Sequence, residues 1–349
     1  MSQPPSSAAP AHPHRRSWLV ILLSIPLWLV VFILTAWTFG ALSYDFPIHS
    51  FRQIAAGFYL VAALVVLVKV RGMWRKMGCL VLSFALVLAW WLTLQPSNDR
   101  TWQPDVAQTA WGEIDGDRVT LHNVRNCDYR TETDFTPHWE TRTVDLSHLT
   151  GVDLAICYWG SPSMAHPIAS FQFSDAPPVC FSIETRKEQG ESYSAIGGLY
   201  RQFELIYICA DERDVLRLRT NFRPGEDIYL YRLVGSPEAA RGRFMDYLAA
   251  MNELHQHARW YNAVTTNCTT SIRSQHDSTH RMAWDWRLLV NGYMDEMLYE
   301  HGRLAGDLPF PALKEAAHIN PAAKAAGNDP DFSKRIRENR PGFATAKAP

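Results

Sequence analysis

The residues best suited to chemistry lie in the stretch Thr265-Thr266-Asn267-Cys268-Thr269-Thr270-Ser271-Ile272-Arg273, one cysteine among small hydroxyl side chains. It follows the polar segment Trp260-Tyr261-Asn262 and reads as the start of a helix. Thr266 or Asn267 serves as the N-cap, and Cys268 falls in the first turn. A thiol there meets the positive end of the helix dipole and unpaired backbone N–H groups. Both favour the thiolate, the form that acts as a nucleophile. The competing reading of Cys268 is a small buried side chain or half of a disulfide.

A nucleophilic cysteine needs a general base within hydrogen-bond reach and a third group to orient that base. His255 and His257 end a helix, where a cation is favourable in any case. His276 and His280 follow the cysteine in a polar loop, and His122, His138, His148, His301 and His318 have no distinctive context. His166 differs, because it opens a strand after the loop Gly160-Ser161-Pro162. Residues 166–173, a turn at 174–178 and residues 179–184 alternate with period 2 and predict a hairpin. Ala169, Phe171 and Phe173 share one face of the first arm, and His166, Ser170 and Gln172 the other. In the second arm Cys180, Ser182, Glu184 and Arg186 form the polar face. Coincident polar faces bring Glu184 near His166, which makes it the candidate orienter; a plain surface glutamate is the alternative.

The elements that must position these groups are those of an α+β domain. Residues 111–121 read as strand, Asp-Gly turn, strand, and 126–139 as a long connection. Further strands are expected at 152–158, 203–210 and 228–234. Ser236-Pro237-Glu238 starts a helix that runs to His257, with Phe244, Leu248, Met251 and Leu254 on one stripe. Another helix is expected over 284–300. The Ala/Asp/Pro/Arg-rich tail, 321–349, reads as mobile.

The first hundred residues differ in kind. Residues 1–16 are polar and Pro-rich, and read as a disordered cytoplasmic terminus. A membrane domain, 17–95, holds apolar runs at 18–42, 54–70 and 79–94, read as three transmembrane helices with Pro26 as a tolerable kink. Arg15, Arg16 and the cluster Lys69, Arg71, Arg75 and Lys76 mark the cytoplasmic side, whereas the 43–52 loop carries only Arg52. Three crossings place the 96–320 domain, and with it Cys268, outside the cytoplasm.

Several classes are excluded. A net charge of −1 gives no electrostatic footprint for nucleic acid. The six cysteines form no CxxC pair, so neither a zinc ribbon nor a thioredoxin-type site is indicated. There is no HExxH, no cluster at metal-ligand spacing and no phosphate loop, so neither a metal nor a nucleotide cofactor is expected. Cys127, Cys157, Cys180, Cys209 and Cys268 all fall on the outer side. Their number is odd, so at least one stays unpaired within a single chain.

Strand histidine, strand acid, then cysteine at a helix start is a permuted form of the papain-like order. Asn267-Cys268-Thr269-Thr270 with the upstream Trp260-Tyr261-Asn262, the stretch Ser182-Ile183-Glu184-Thr185-Arg186, and Ala165-His166 before Ser170-Phe171 resemble the Lnb N-terminal periplasmic domain family over roughly residues 123–337. The resemblance implies a thiol-dependent, permuted NlpC/papain-like domain, an antiparallel sheet packed on helices, on the periplasmic side of a bacterial inner membrane. It implies Cys268 as nucleophile, His166 as base, Asn267 beside the thiol and Glu184 as third member. It also implies acyl chemistry on lipid-linked or cell-envelope substrates such as lipoproteins. Two rivals stay open: a peptidoglycan peptidase or amidase, and a non-enzymatic envelope scaffold in which Cys268 is structural.

Overall fold

Uncharged apolar runs of about 20 residues satisfy their own backbone groups only as helices once water is absent. The computed structural model of the chain describes residues 18–266, 285–288 and 290–343. Its first unit, Met1–Leu94, contains α1 (Trp18–Asp45), α2 (Arg52–Lys69) and α3 (Met73–Thr93). Three helices here are long and apolar enough to cross a membrane. Pro26 lies inside α1 without ending it. Thr35 and Thr38 donate their hydroxyls to the carbonyls of Val31 and Leu34, both at 2.8 Å, so neither is left unsatisfied in an apolar run. Across helices the Trp91 indole donates to the Asp45 carboxylate, and Trp37 packs edge-on against Trp91 at 5.3 Å. The basic cluster straddles the α2–α3 connection: Lys69 ends α2, and Arg75 and Lys76 lie in the first turn of α3.

The second unit, Gln95–Pro349, is built on one sheet. Its strands are β1 (Trp111–Asp115), β2 (Arg118–Arg125), β3 (Asp128–Tyr129), β4 (Phe135–Thr136), β5 (Trp139–Asp145), β6 (Leu149–Trp159), β7 (Ala165–Phe173), β8 (Val179–Arg186), β9 (Glu204–Ala210) and β10 (Glu226–Arg232). The order β1-β2-β9-β8-β7-β6-β10, with β5 also on β2, makes eight strands; β3 and β4 pair separately. All pairs are antiparallel except β2 with β9, which meet in parallel at Arg125 and Ala210. The helices are α4 (Glu212–Arg217), which runs on into a π-turn Leu218–Phe222, α5 (Pro237–Gln256), α6 (Met294–Glu300), α7 (Phe310–Ala317), α8 (Asn320–Ala326) and α9 (Phe332–Arg335). This is an α+β arrangement.

Period-2 alternation sends β7 and β8 side chains to two different covers. On one face Phe171 and Phe181 meet Phe244 and Tyr247 of α5, with ring centroids 5.2–5.9 Å apart. Ser236 caps α5 by accepting from the Ala239 N–H, and Phe244, Leu248, Met251 and Leu254 are all buried beneath it. On the other face Ile168, Cys180, Ile206 and Ile208 pack with Val215, Leu216, Ile319, Ala323, Phe332 and Ile336.

That second cover corrects two expectations. The tail past 321 is packed on the sheet as far as residue 343: Phe332 and Ile336 are fully buried, and the Arg337 guanidinium pairs with Asp153 at 2.8 Å and with Glu212. Small and charged residues dominate the tail, yet its few apolar ones recur four apart and face the sheet. Among the described residues, the helix expected over 284–300 is α-helical from Met294; 3₁₀ turns at Trp286–Leu288 and Asn291–Tyr293 precede it. The cause is a close approach at Gly292, described below.

Candidate active site

His166 lies two residues beyond the Ile168–Ser182 match, so its side chain shares a face with Ser182 and Glu184. The structure brings these three together. His166 Nε2 lies 2.7 Å from Ser182 Oγ, and Ser182 Oγ donates to Glu184 Oε1 at 2.7 Å. Glu184 Oε1 itself stays 3.8 Å from His166 Nε2, so the serine bridges the gap. His166 is buried, with the Trp159 ring at 6.5 Å.

Behind Glu184 stands Arg219, delivered by the π-turn after α4. Its guanidinium reaches Glu184 at 3.1 Å and Glu226 at 3.2 Å. Burial, the largest single influence, would push the Glu184 carboxyl up, but Arg219, His166, Arg125 and the Ser182 hydroxyl together outweigh it and hold the group well below the usual carboxylate range. Burial pushes the His166 imidazole down to about 3, reinforced by Arg219 and opposed by Glu184. His166 is therefore neutral at physiological pH, and the 3.8 Å approach is not an ion pair. A neutral imidazole keeps a lone pair free, as a general base must, although one pushed down to about 3 is a weak base. Among the described residues, His166 Nδ1 has no hydrogen-bond partner.

Cys268 and Asn267 lie outside the described residues, as does the helix expected to begin there. Both flanks of that segment are fixed at the same end of the sheet as His166. On the upstream side Trp260 bridges to Glu204 and the Tyr261 N–H donates to Phe203. These contacts lie at the start of β9, whose Ile206 is the partner of Glu184. The chain then closes a small loop, in which Asn262 Oδ1 accepts from the Val264 and Thr265 N–H groups and Asn262 and Thr266 exchange backbone bonds. On the downstream side Asn291 Oδ1 accepts from the Ala165 N–H at 2.9 Å, and the Gly292 N–H donates to Ser163. A Cβ on Gly292 would sit 2.1 Å from the Pro162 carbonyl oxygen, so no other residue permits this contact. The described chain thus reaches residue 266 and resumes at residue 285 at the end of the sheet that holds His166.

The other thiols of this unit are ill suited to attack. Cys127, Cys157, Cys180 and Cys209 are buried and free. Burial pushes Cys127 up to about 11, and Cys157 and Cys209 up to about 12; Cys180 is also raised well above the usual thiol value. Cys157 is the register partner of His166, but its thiol donates to Glu226 Oε2 at 3.1 Å instead.

The model of the Lnb N-terminal periplasmic domain family matches residues 135–292. That segment is similar to an Lnb N-terminal periplasmic domain. The match is narrower than the resemblance over 123–337, running from the first residue of β4 to Gly292. It takes in His166, Ser182, Glu184, Arg219, Glu226 and the segment that holds Cys268. No curated protein and no solved structure matches the chain. Joined to three apolar helices, the Lnb-type domain makes this a membrane protein with a periplasmic, envelope-associated domain.

Two residues of the site escaped the sequence reading. Ser182 was on the right face, but a serine in an alternating strand carries no mark of a role. Arg219 gave no signal, because a π-turn has no sequence period that points one residue inward.

Proposed function

We propose that the chain is a multi-pass inner-membrane protein whose Lnb-type domain is a cysteine acyltransferase or hydrolase acting on lipid-linked or cell-envelope substrates such as lipoproteins. One observation carries this reading. A neutral, oriented imidazole stands at the end of the sheet where the chain enters and leaves the segment bearing Cys268. Such a group is neutral in the resting state, and a thiolate formed beside it would stabilise its imidazolium.

In the proposed reaction His166 accepts the Cys268 proton as the sulfur attacks an ester or amide carbonyl. The S–C bond forms, the bond to the leaving alcohol or amine breaks, and that group departs with the proton from the imidazolium. An amine, alcohol or water then gives up a proton to His166, attacks the thioester and releases the thiolate. Backbone N–H groups of the first helical turn at Cys268 would stabilise the oxyanion. Asn267, which precedes Cys268 in the chain, would assist at the thiol, and Glu184 would act on His166 through Ser182. The three helices, with the basic cluster on the cytoplasmic side, hold the domain at the membrane and raise its effective concentration toward lipid-linked substrates.

The test is full-length protein in nanodiscs, supplied with a labelled phospholipid and a lipopeptide acceptor, and separately with peptidoglycan. Loss of label from phospholipid or lipopeptide that requires Cys268 supports the reading. Cys268-dependent release of muropeptides instead assigns the domain to peptidoglycan. Unchanged activity in a folded Cys268→Ala variant rejects a thiol mechanism.

A further inference from the structure

We propose that Ser182 is the positioning residue of this site: its hydroxyl, backed by Glu184 and Arg219, holds His166 as the Nε2–H tautomer and leaves Nδ1 as the basic nitrogen. The inference rests on the Cys268–His166 reading above. The geometry fixes the direction of each proton. Glu184 is paired with Arg219 at 3.1 Å, and an ionised carboxylate only accepts. Ser182 has a single hydroxyl proton, and it points to Glu184 Oε1 at 2.7 Å. Toward His166, at 2.7 Å, Ser182 Oγ therefore offers only a lone pair, and His166 Nε2 must carry the hydrogen. The reverse chain needs a protonated Glu184 beside a guanidinium. Glu184 at 3.8 Å is too far to set the tautomer itself, so its effect passes through the serine. His166, Ser182 and Glu184 lie on paired strands, which leaves the array little freedom.

The test uses the full-length chain in detergent micelles with ¹⁵N-labelled histidine, the His166 signals being assigned by their loss in His166→Gln. At neutral pH the expected result is a protonated Nε2 and an unprotonated Nδ1. An Nδ1–H tautomer or an imidazolium overturns the proposal. The second readout is the rate at which iodoacetamide alkylates Cys268, followed by peptide mass spectrometry. Ser182→Ala should slow it about tenfold or more, and Ser182→Thr, which keeps the hydroxyl, should restore most of the rate. Equal rates for Ser182→Ala and the unmodified chain also overturn the proposal. A rate unaffected by His166→Gln rejects the Cys268–His166 pairing itself, whichever tautomer His166 holds.

Discussion

Arg219 and Glu184 form a buried ion pair, 3.1 Å apart, in which the guanidinium also serves Glu226 at 3.2 Å. Removing the cation leaves the Glu184 carboxylate without its ion-pair partner, while Glu226 keeps Arg223 at 3.5 Å. Arg219→Met should therefore destabilise the domain by about 3–5 kcal/mol, because an unpaired buried charge costs more than a buried pair gains. Glu184→Gln leaves Arg219 its Glu226 partner and should cost less. Chemical denaturation of the full chain in detergent, followed by tryptophan fluorescence, gives both values. A smaller loss for Arg219→Met than for Glu184→Gln would contradict this division of charge.

His166 gives the domain an acid-side liability. Its folded value, about 3, lies below the 6.5 of an exposed histidine. Between those values the unfolded chain binds a proton that the folded chain refuses. The His166 contribution is thus fully present above 6.5 and is lost as pH falls toward 3. The lowered Glu184 carboxyl acts in the same direction but only below its ordinary value of 4.5. Between pH 6.5 and 5, then, His166→Gln should flatten the pH dependence of unfolding while Glu184→Gln should not. Denaturation midpoints at several pH values across that window separate the two.

Gly292 marks where two loops press together beside His166. A methyl group there would lie 2.1 Å from the Pro162 carbonyl oxygen, so Gly292→Ala must displace the 160–164 loop that leads into β7. Cys268 alkylation should slow by about tenfold or more, since small misplacements of a base are costly. Gly242 is the control. It is exposed in α5 with open space around its Cα, and Gly242→Ala should raise stability by about 0.5–1 kcal/mol without changing the alkylation rate.

The hairpin was legible because residues 166–173 and 179–184 alternate cleanly, and a shared face follows from that alternation alone. It foretold the approach of Glu184 to His166, but not the serine between them. The helix assigned to 284–300 failed because helical spacing says nothing about a glycine that must press on a neighbouring loop. The tail failed for a related reason. Its composition is that of a solvated segment, while Phe332, Ile336 and Arg337 act through long-range contacts with the sheet, Asp153 and Glu212.

That tail yields its own expectation. A chain ending at Asn320 loses Phe332 and Ile336 from the sheet face and strips Asp153 and Glu212 of their shared cation. Loss of that apolar burial, with Glu212 left without its cation and Asp153 with Arg232 alone, should abolish cooperative unfolding of the periplasmic domain. Thermal unfolding followed by near-ultraviolet circular dichroism checks it. A sharp transition in the shortened chain would show that residues 321–343 are dispensable.

The most direct test of the thiol mechanism is to trap its intermediate. Full-length protein in nanodiscs is incubated with a phospholipid or lipopeptide donor, quenched in acid, and its Cys268 peptide weighed. The expected result is an acyl adduct on Cys268 that hydroxylamine removes, absent in Cys268→Ala and strongly reduced in His166→Gln. A Cys268 recovered in a disulfide, or an acyl adduct that persists in Cys268→Ala, would contradict the account.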